Sequence, residues 1–111
     1  MKDNRIILIS HIVETCFKVF EQGLSDDILT EYLLVLFKKT KVKYYKNEQY
    51  SLISFQIDKY SRIMINTKLL EISIKNRCVI PVVDCGLNIK EIIEKLYINV
   101  LRNEYDSNVW E

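Results

Sequence analysis

The fold of this chain is decided by residues 51–66, SLISFQIDKYSRIMIN. In this stretch the apolar residues Ile53, Phe55 and Ile57 alternate with polar neighbours, and a second alternating run, RIMIN, follows the polar segment DKYS. Alternation with a period of two is the pattern of a strand buried on one face, and DKYS is typical of a turn. Residues 51–66 therefore predict a β-hairpin with one apolar face.

The same alternation continues on both sides of this hairpin. It begins near Lys41, returns in LEISIK at residues 70–75, and closes in CVIPVV at residues 78–83. Turn-like breaks lie at residues 47–48 and 76–77. The pattern predicts a meander of four or five antiparallel strands with one apolar and one polar face. Pro81 cannot donate a ladder hydrogen bond, so we expect the last strand at an edge or bulged there.

Helical spacing precedes and follows the meander. Residues 4–21 predict a helix capped by Asp3 or Asn4 and stopped near Gly23, although the opening RIILI also fits a strand. Its expected buried stripe is Ile6, Ile9, Val13, Cys16 and Phe20, flanked by Ile12 and Phe17.

A second helix begins at Ser25, and its wide apolar set predicts packing on two neighbours: Ile28, Leu29, Tyr32, Leu33, Val35, Leu36 and Phe37. A third begins at Asn88, with Glu91 at the capping-box position, and buries Ile89, Ile92, Ile93, Leu96 and Val100.

These elements predict one α+β domain over residues 1–111. It consists of an N-terminal helical hairpin, a four- to five-stranded antiparallel meander and a C-terminal helix, arranged as a two-layer sandwich. Periodicity fades after Asn103, so residues 105–111 are expected to form an irregular tail.

Composition indicates a globular, cytoplasmic protein. Apolar residues make up 49% of the 111 residues, and the longest apolar run, YLLVLF, is far too short to span a bilayer. The N-terminus lacks the pattern of a signal peptide. Cys16, Cys78 and Cys85 are odd in number and form no C-x-x-C pair, which disfavours a disulfide framework and a zinc site.

The sequence offers no catalytic constellation. His11 is the only histidine and falls on the polar side of the first helix. The adjacent acids Asp26 and Asp27 suit a first helical turn, and the two glycines cannot build a phosphate-cradling loop. We therefore expect no enzyme activity, no metal and no cofactor.

Charge is unevenly distributed along the chain. Residues 1–36 carry three basic and six acidic side chains, residues 37–78 carry ten and three, and residues 79–111 carry three and six. The sums are −3, +7 and −3, which add to the net +1 of the whole chain. A basic zone thus lies between two acidic ones.

The basic zone suggests one possible function, nucleic-acid binding through residues 38–50, KKTKVKYYKNEQY. Lysines supply phosphate contacts and tyrosines supply stacking faces. The stretch contains no arginine, however, and it also reads as a helix end followed by a solvated edge strand. The residues expected to bind are Lys38, Lys39, Lys41, Lys43, Tyr45 and Lys46.

The acidic zone suggests the preferred function, protein binding. An acidic patch is expected around the helical hairpin, formed by Glu14, Glu21, Asp26, Asp27 and Glu31. Apolar residues that point away from the buried stripes could join such a contact: Ile7, Leu34, Ile98, Leu101 and Trp110. In profile the chain resembles bacterial immunity proteins, which neutralise a cognate toxin by direct binding; phage-encoded inhibitors and secretion chaperones share that profile. The oligomeric state stays open, and a homodimer is possible.

Overall fold

A computed structural model describes residues 3–74, 77–81 and 86–109. Two helices come first, then five strands, then a long third helix. Their bounds are α1 Asn4–Glu21, α2 Asp26–Thr40, β1 Tyr44–Asn47, β2 Leu52–Gln56, β3 Arg62–Asn66, β4 Glu71–Ile74, β5 Arg77–Pro81 and α3 Ile89–Val109. The predicted α+β class, with its helical hairpin, antiparallel meander and C-terminal helix, is confirmed.

The five strands form one antiparallel sheet in the order β1-β2-β3-β4-β5. In β2 and β3 the register places Ile53 opposite Ile65 and Phe55 opposite Ile63. Residues directly opposite each other lie on the same face, so the alternating isoleucines line up across the sheet. Strand β5, which contains Pro81, lies at an edge of the sheet as predicted. Its pairing with β4 is irregular between Ile72 and Ile74, whereas Pro81 itself pairs with Glu71.

The three helices cover the inner face of the sheet. Helix α1 packs between α2 and α3, and α3 contacts β4 and β5. Phe37 of α2 stacks on Tyr44 and packs with a tilted ring against Phe55. The core between these two layers consists of Ile9, Ile12, Val13, Cys16, Val19, Leu29, Leu33, Phe37, Ile53, Phe55, Ile63, Ile65, Ile72, Ile74, Ile80, Ile92, Leu96 and Val100.

The ends of α1 and the start of α3 follow the predicted capping chemistry. The Asp3 carboxylate accepts a hydrogen bond from the Arg5 N–H at 2.8 Å, and Gly23 adopts φ 63° after α1. At the start of α3, the Asn88 side chain accepts from the Glu91 N–H at 2.8 Å and donates to the Glu91 carboxylate at 2.9 Å. The strand alternative for RIILI is wrong, because residues 4–21 are helical throughout.

Two predictions about α1 and α2 need correction. Val19 is buried in place of Phe20, which is 44% exposed at the hairpin end. Helix α2 buries only Leu29, Leu33 and Phe37, while Tyr32 and Val35 are exposed. The reason is that the sheet and α1 together cover only one side of α2, so its wide apolar set is not wholly buried.

The prediction of an irregular tail is wrong for residues 105–109, which continue α3. The last turns of α3 are held to the body of the protein by side chains. Glu104 accepts from Arg5 of α1 at 2.9 Å, and Asn103 donates to Ser61 at 3.2 Å. These contacts stabilise helix where the apolar periodicity has already ended, and Trp110 lies outside the described residues.

Candidate functional site

Three residues of the predicted acidic patch line one groove. Asp26, Asp27 and Glu31 project from the first turns of α2 towards the far end of β1, where Lys46 and Glu48 complete the wall. The groove measures about 700 Å³. The short link over residues 22–25, with Ser25 as the N-cap, positions these acids because it sets where α2 begins.

The groove carries net negative charge. Lys46 Nζ lies 3.2 Å from Glu48 Oε1, so the one ammonium in the wall is already paired. Asp26, Asp27 and Glu31 form no salt bridge with any described residue. Their charge is therefore available to a cationic partner.

The other two residues of the patch lie elsewhere. Glu14 and Glu21 are exposed on α1, seven residues apart, and therefore on one side of that helix. Glu14 borders a shallow recess with His11, which is exposed as predicted. The structure thus divides the predicted patch between the groove beside α2 and the solvent side of α1.

An apolar stripe on α2 adjoins these acids, and sequence reasoning assigned it to the core. Ile28, Tyr32 and Val35 share one side of α2 by their i, i+4, i+7 spacing, and Tyr32 and Val35 are 39% and 65% exposed. We call these three residues the hairpin stripe. The sequence showed that the apolar set of α2 is too wide to be buried against a single neighbouring element. Only the tertiary structure shows which side of α2 stays exposed.

The predicted basic residues also separate into groups. Lys38 and Lys39 end α2, and Lys41 caps it in the left-handed conformation with φ 58°. Lys41, Lys43 and Tyr45 line a groove of about 770 Å³ along the sheet edge, which we call the basic groove. This helix end leading into an edge strand is the architecture that the sequence predicted for the stretch.

Arg62 joins the basic groove, although it lies outside the predicted stretch. It is in β3 opposite Gln56, and its Nη1 donates to Ser54 Oγ at 3.4 Å. The guanidinium that the stretch lacks is therefore supplied by β3, which lies beyond β2 in the sheet. Only the register of the hairpin over residues 51–66 could have revealed this from sequence.

Lys46 does not belong to the basic groove. In the β1–β2 register Lys46 lies opposite Ile53 and Tyr45 opposite Ser54. Ile53 is on the helix-covered face and Ser54 on the open face, so Lys46 and Tyr45 project to opposite sides of the sheet. Lys46 therefore borders the acidic groove instead.

The remaining apolar candidates are scattered. Ile7, Ile98 and Leu101 are exposed on α1 and α3, and Leu34 is half-buried in the wall of the acidic groove. Leu34 lies on the same helix as the hairpin stripe, whereas the other three residues lie on α1 and α3.

A cluster around Arg5 has the strongest electrostatic interactions among the described residues. Arg5 donates to Asp3, Asp58 and Glu104, and Tyr97 Oη donates to Asp3 Oδ2 at 3.0 Å. The hydrogen bonds from Arg5 hold the pKa of Asp3 well below its usual range, and the hydrogen bond to Asp3 raises the pKa of Tyr97. The cluster joins the start of α1, the turn between β2 and β3, and α3, so we interpret it as a structural tie.

The described thiols are poor nucleophiles. Cys16 is buried, and desolvation raises its pKa to about 12. Burial also raises the pKa of Cys78, whose Sγ accepts from Asn99 Nδ2 at 3.1 Å. Cys85 lies outside the described residues, and among those described no group of three or more His, Cys, Asp or Glu side chains could hold a metal ion.

Comparison with protein-family profiles, curated proteins and solved structures found no match to this chain. Within the described parts of the chain, no helix combines the length and the apolar character needed to cross a membrane.

Proposed function

We propose that this protein acts by binding another protein, and most concretely that it is a cytoplasmic immunity protein that neutralises a cognate toxin. It would do so without catalysis, by covering a basic functional surface of the toxin. The α1–α2 hairpin would make the contact, with the acidic patch and the hairpin stripe as its two components.

The observation that carries this proposal is the exposure of Tyr32 and Val35 beside Glu31 on α2. Protein-binding surfaces combine a central aromatic or aliphatic anchor with a charged rim. Here the anchor would be Tyr32 and Val35, and the rim would be the carboxylates of Asp27 and Glu31. These carboxylates have no salt-bridge partner among the described residues, which suits recognition of a cationic surface.

The cytoplasm is the proposed location because the described cysteines are free. Cys16 and Cys78 are not joined to any described cysteine, which is the usual state in a reducing compartment.

Affinity capture with the tagged chain, with and without nuclease treatment, tests this proposal. We expect one protein in near-equal amount, unaffected by nuclease. The double variant Tyr32→Ser/Val35→Ser should weaken that binding at least about tenfold, since truncating a hot-spot side chain costs about 2 kcal/mol or more. Ile98→Ser, which removes an equally exposed apolar side chain from α3, is the matched control. Equal binding by all variants would refute the proposed surface.

Charge reversal tests the contribution of the acidic rim to binding independently of the apolar anchor. Asp27→Lys/Glu31→Lys should slow association and make the remaining binding less dependent on salt. Recovery of no protein partner at any salt concentration would contradict the function itself.

Nucleic-acid binding is the second candidate, favoured by the position of Arg62. Its guanidinium joins Lys41, Lys43 and Tyr45 in the basic groove, which supplies phosphate contacts and a stacking face on one open side of the sheet. The test is the salt dependence of binding to a labelled single-stranded oligonucleotide. Binding that weakens with salt and is lost in Lys41→Gln/Lys43→Gln/Arg62→Gln would support this candidate, whereas no binding at low salt would exclude it.

A further inference from the structure

Strand β1 leaves one edge of the sheet open. It pairs with β2 on one side, and no described strand lies beyond it. The Thr67 N–H donates to the Ser51 carbonyl and the Ile57 N–H to the Ser61 carbonyl, so the odd-numbered residues of β2 bond towards β3. The main-chain groups of the even-numbered residues of β2 therefore point towards β1, where they hydrogen-bond with Tyr45 and Asn47.

The main-chain groups of Tyr44 and Lys46 consequently point outwards. In an antiparallel ladder each residue bonds to one side only, so residues that alternate with Tyr45 and Asn47 direct their N–H and C=O to the open edge. All four residues of β1 are exposed. An edge of this kind is a template for pairing with another strand.

Helix α2 runs beside this edge in the opposite direction. Its first turns lie by Lys46 and Glu48, and its last turn leads through residues 41–43 back to the start of β1. Asp27, Glu31 and Leu34 line the groove towards β1, and Lys38 continues the same stripe by its i+4 spacing from Leu34. We call Asp27, Glu31, Leu34 and Lys38 the edge stripe of α2.

Leu34 lies at about the level of Tyr45 along the edge. Phe37 stacks on Tyr44, with ring centroids 5.7 Å apart, which sets the two elements in register. From Phe37 back to Leu34 the helix rises about 4.5 Å, and from Tyr44 to Tyr45 the strand rises about 3.3 Å. Because α2 and β1 run in opposite directions, both steps lead the same way along the edge. On one side of this level the edge stripe of α2 is acidic, with Asp27 and Glu31; on the other side it carries Lys38.

We propose that this edge binds a second copy of the same chain, with the two β1 strands antiparallel and the two sheets joined into one. A two-fold axis at the level of Leu34 and Tyr45 places the acidic end of each edge stripe beside Lys38 of the other copy. Glu31 of one copy then faces Lys38 of the other, and the two Leu34 side chains meet between them. A two-fold axis brings together the unlike ends of two identical edge stripes, and this match favours a second copy as the occupant.

The open hydrogen-bonding groups are compatible with this register. With Tyr45 opposite Tyr45, each Lys46 pairs with Tyr44 of the other copy, and the outward groups of both residues are satisfied. The next possible register places Lys46 opposite Lys46, and like charges directly opposite are unfavourable. Helix α2 stacks over β1 and β2 through Phe37, so the two α2 helices come to lie about 10 Å apart, the ordinary distance for helix packing.

This inference goes beyond the proposed function and does not depend on it. The pairing is tested with the purified chain alone, so its failure leaves the search for a binding partner untouched. Since Asp27 and Glu31 belong to both surfaces, a partner that uses them would compete with self-association.

Sedimentation velocity over a concentration series is the first test. We expect the mass to rise from 13.2 kDa to twice that value as concentration increases. Glu31→Lys and Lys38→Glu should each weaken the dimer by about tenfold or more, because each places like charges together twice. An equimolar mixture of the two variants should restore dimerisation, and so should the double variant Glu31→Lys/Lys38→Glu.

A disulfide tests the register. Residues in a non-hydrogen-bonded pair have Cα atoms about 4.5 Å apart, within the range of a disulfide, so Tyr45→Cys should form a covalent dimer on mild oxidation. Asn47→Cys, on the same side of the same strand, faces Lys43 and should form none beyond the level of the parent chain. A monomer at every concentration would overturn the proposal, and so would a dimer that ignores both charge reversals and fails to crosslink at Tyr45.

Discussion

Arg5 Nη1 lies 2.7 Å from Asp58 Oδ2, and this ion pair joins the first turn of α1 to the turn between β2 and β3. Asp58 also accepts hydrogen bonds from the N–H groups of Tyr60 and Ser61, each at 2.8 Å. One carboxylate thus shapes the turn of the central hairpin and anchors the helical layer to it. Arg5 extends the tie to α3 through Glu104.

Replacing Arg5 should destabilise the fold measurably. Arg5→Gln leaves three carboxylates without their guanidinium, and we expect a loss of about 2 kcal/mol in the free energy of unfolding, since these groups are partly exposed. Urea denaturation measures this value. Arg62→Gln, at an exposed arginine, is the control and should change it by less than about 0.5 kcal/mol. Equal effects of the two substitutions would show that the Arg5 cluster contributes nothing special.

Stability should fall in acid because of Asp3. Its pKa is depressed below the ordinary 3.8 by the hydrogen bonds from Arg5, so the folded state binds its proton less readily than the unfolded state. The resulting stabilisation is complete above the ordinary pKa and is lost progressively as pH falls below it. We expect Asp3→Asn to be less stable than the parent chain near neutral pH, with a difference that shrinks in acid. Urea denaturation at several pH values measures this, and a constant difference would contradict the assignment.

Two phenylalanines should differ sharply in their contributions to stability. Phe37 is fully buried and packs on Phe55 with centroids 4.9 Å apart, so Phe37→Ala should cost about 3–5 kcal/mol. Phe20→Ala removes the same atoms from an exposed site and should cost less than about 1 kcal/mol. Thermal and urea unfolding compare them. Similar losses for the two variants would mean that Phe20 is buried after all.

Replacing Lys41 by glycine should not reduce the stability of the fold and is expected to raise it. It ends α2 with φ 58°, a conformation that disfavours side chains with a Cβ atom. Lys41→Gly is expected to stabilise the fold by up to about 1 kcal/mol, or at least to leave it unchanged. Lys39→Gly, two residues earlier and within α2, should destabilise it by about 1 kcal/mol. Opposite signs in urea denaturation are the decisive readout, and a loss at both positions would contradict the strain at Lys41.

Local sequence patterns were sufficient to predict most of the elements. Ile53, Phe55 and Ile57 alternate with polar residues because successive side chains of a strand point to opposite faces of the sheet. This alternation can be recognised within a few residues of sequence. Asp3 and Gly23 similarly mark the ends of α1 through their own backbone preferences. The end of α3 was predicted too early, because Glu104 and Asn103 are held by residues distant in the chain.

The candidate surfaces depended on contacts between distant segments. The acids of α2 were identified from their spacing, yet only the fold sets Asp27 and Glu31 against Lys46 and leaves Glu14 elsewhere. Arg62 entered the basic groove and Lys46 left it because strand register assigns side chains to faces.

The sequence by itself therefore determined the helices, the meander, the apolar core and the uneven charge of this protein. These features arise from periodicity and capping, which act over a few residues. The tertiary structure alone decided which side of α2 stays exposed, which charges share a groove and that β1 has an open edge beside the edge stripe. Those features depend on how elements far apart in the chain pack and pair, and no local pattern encodes that geometry.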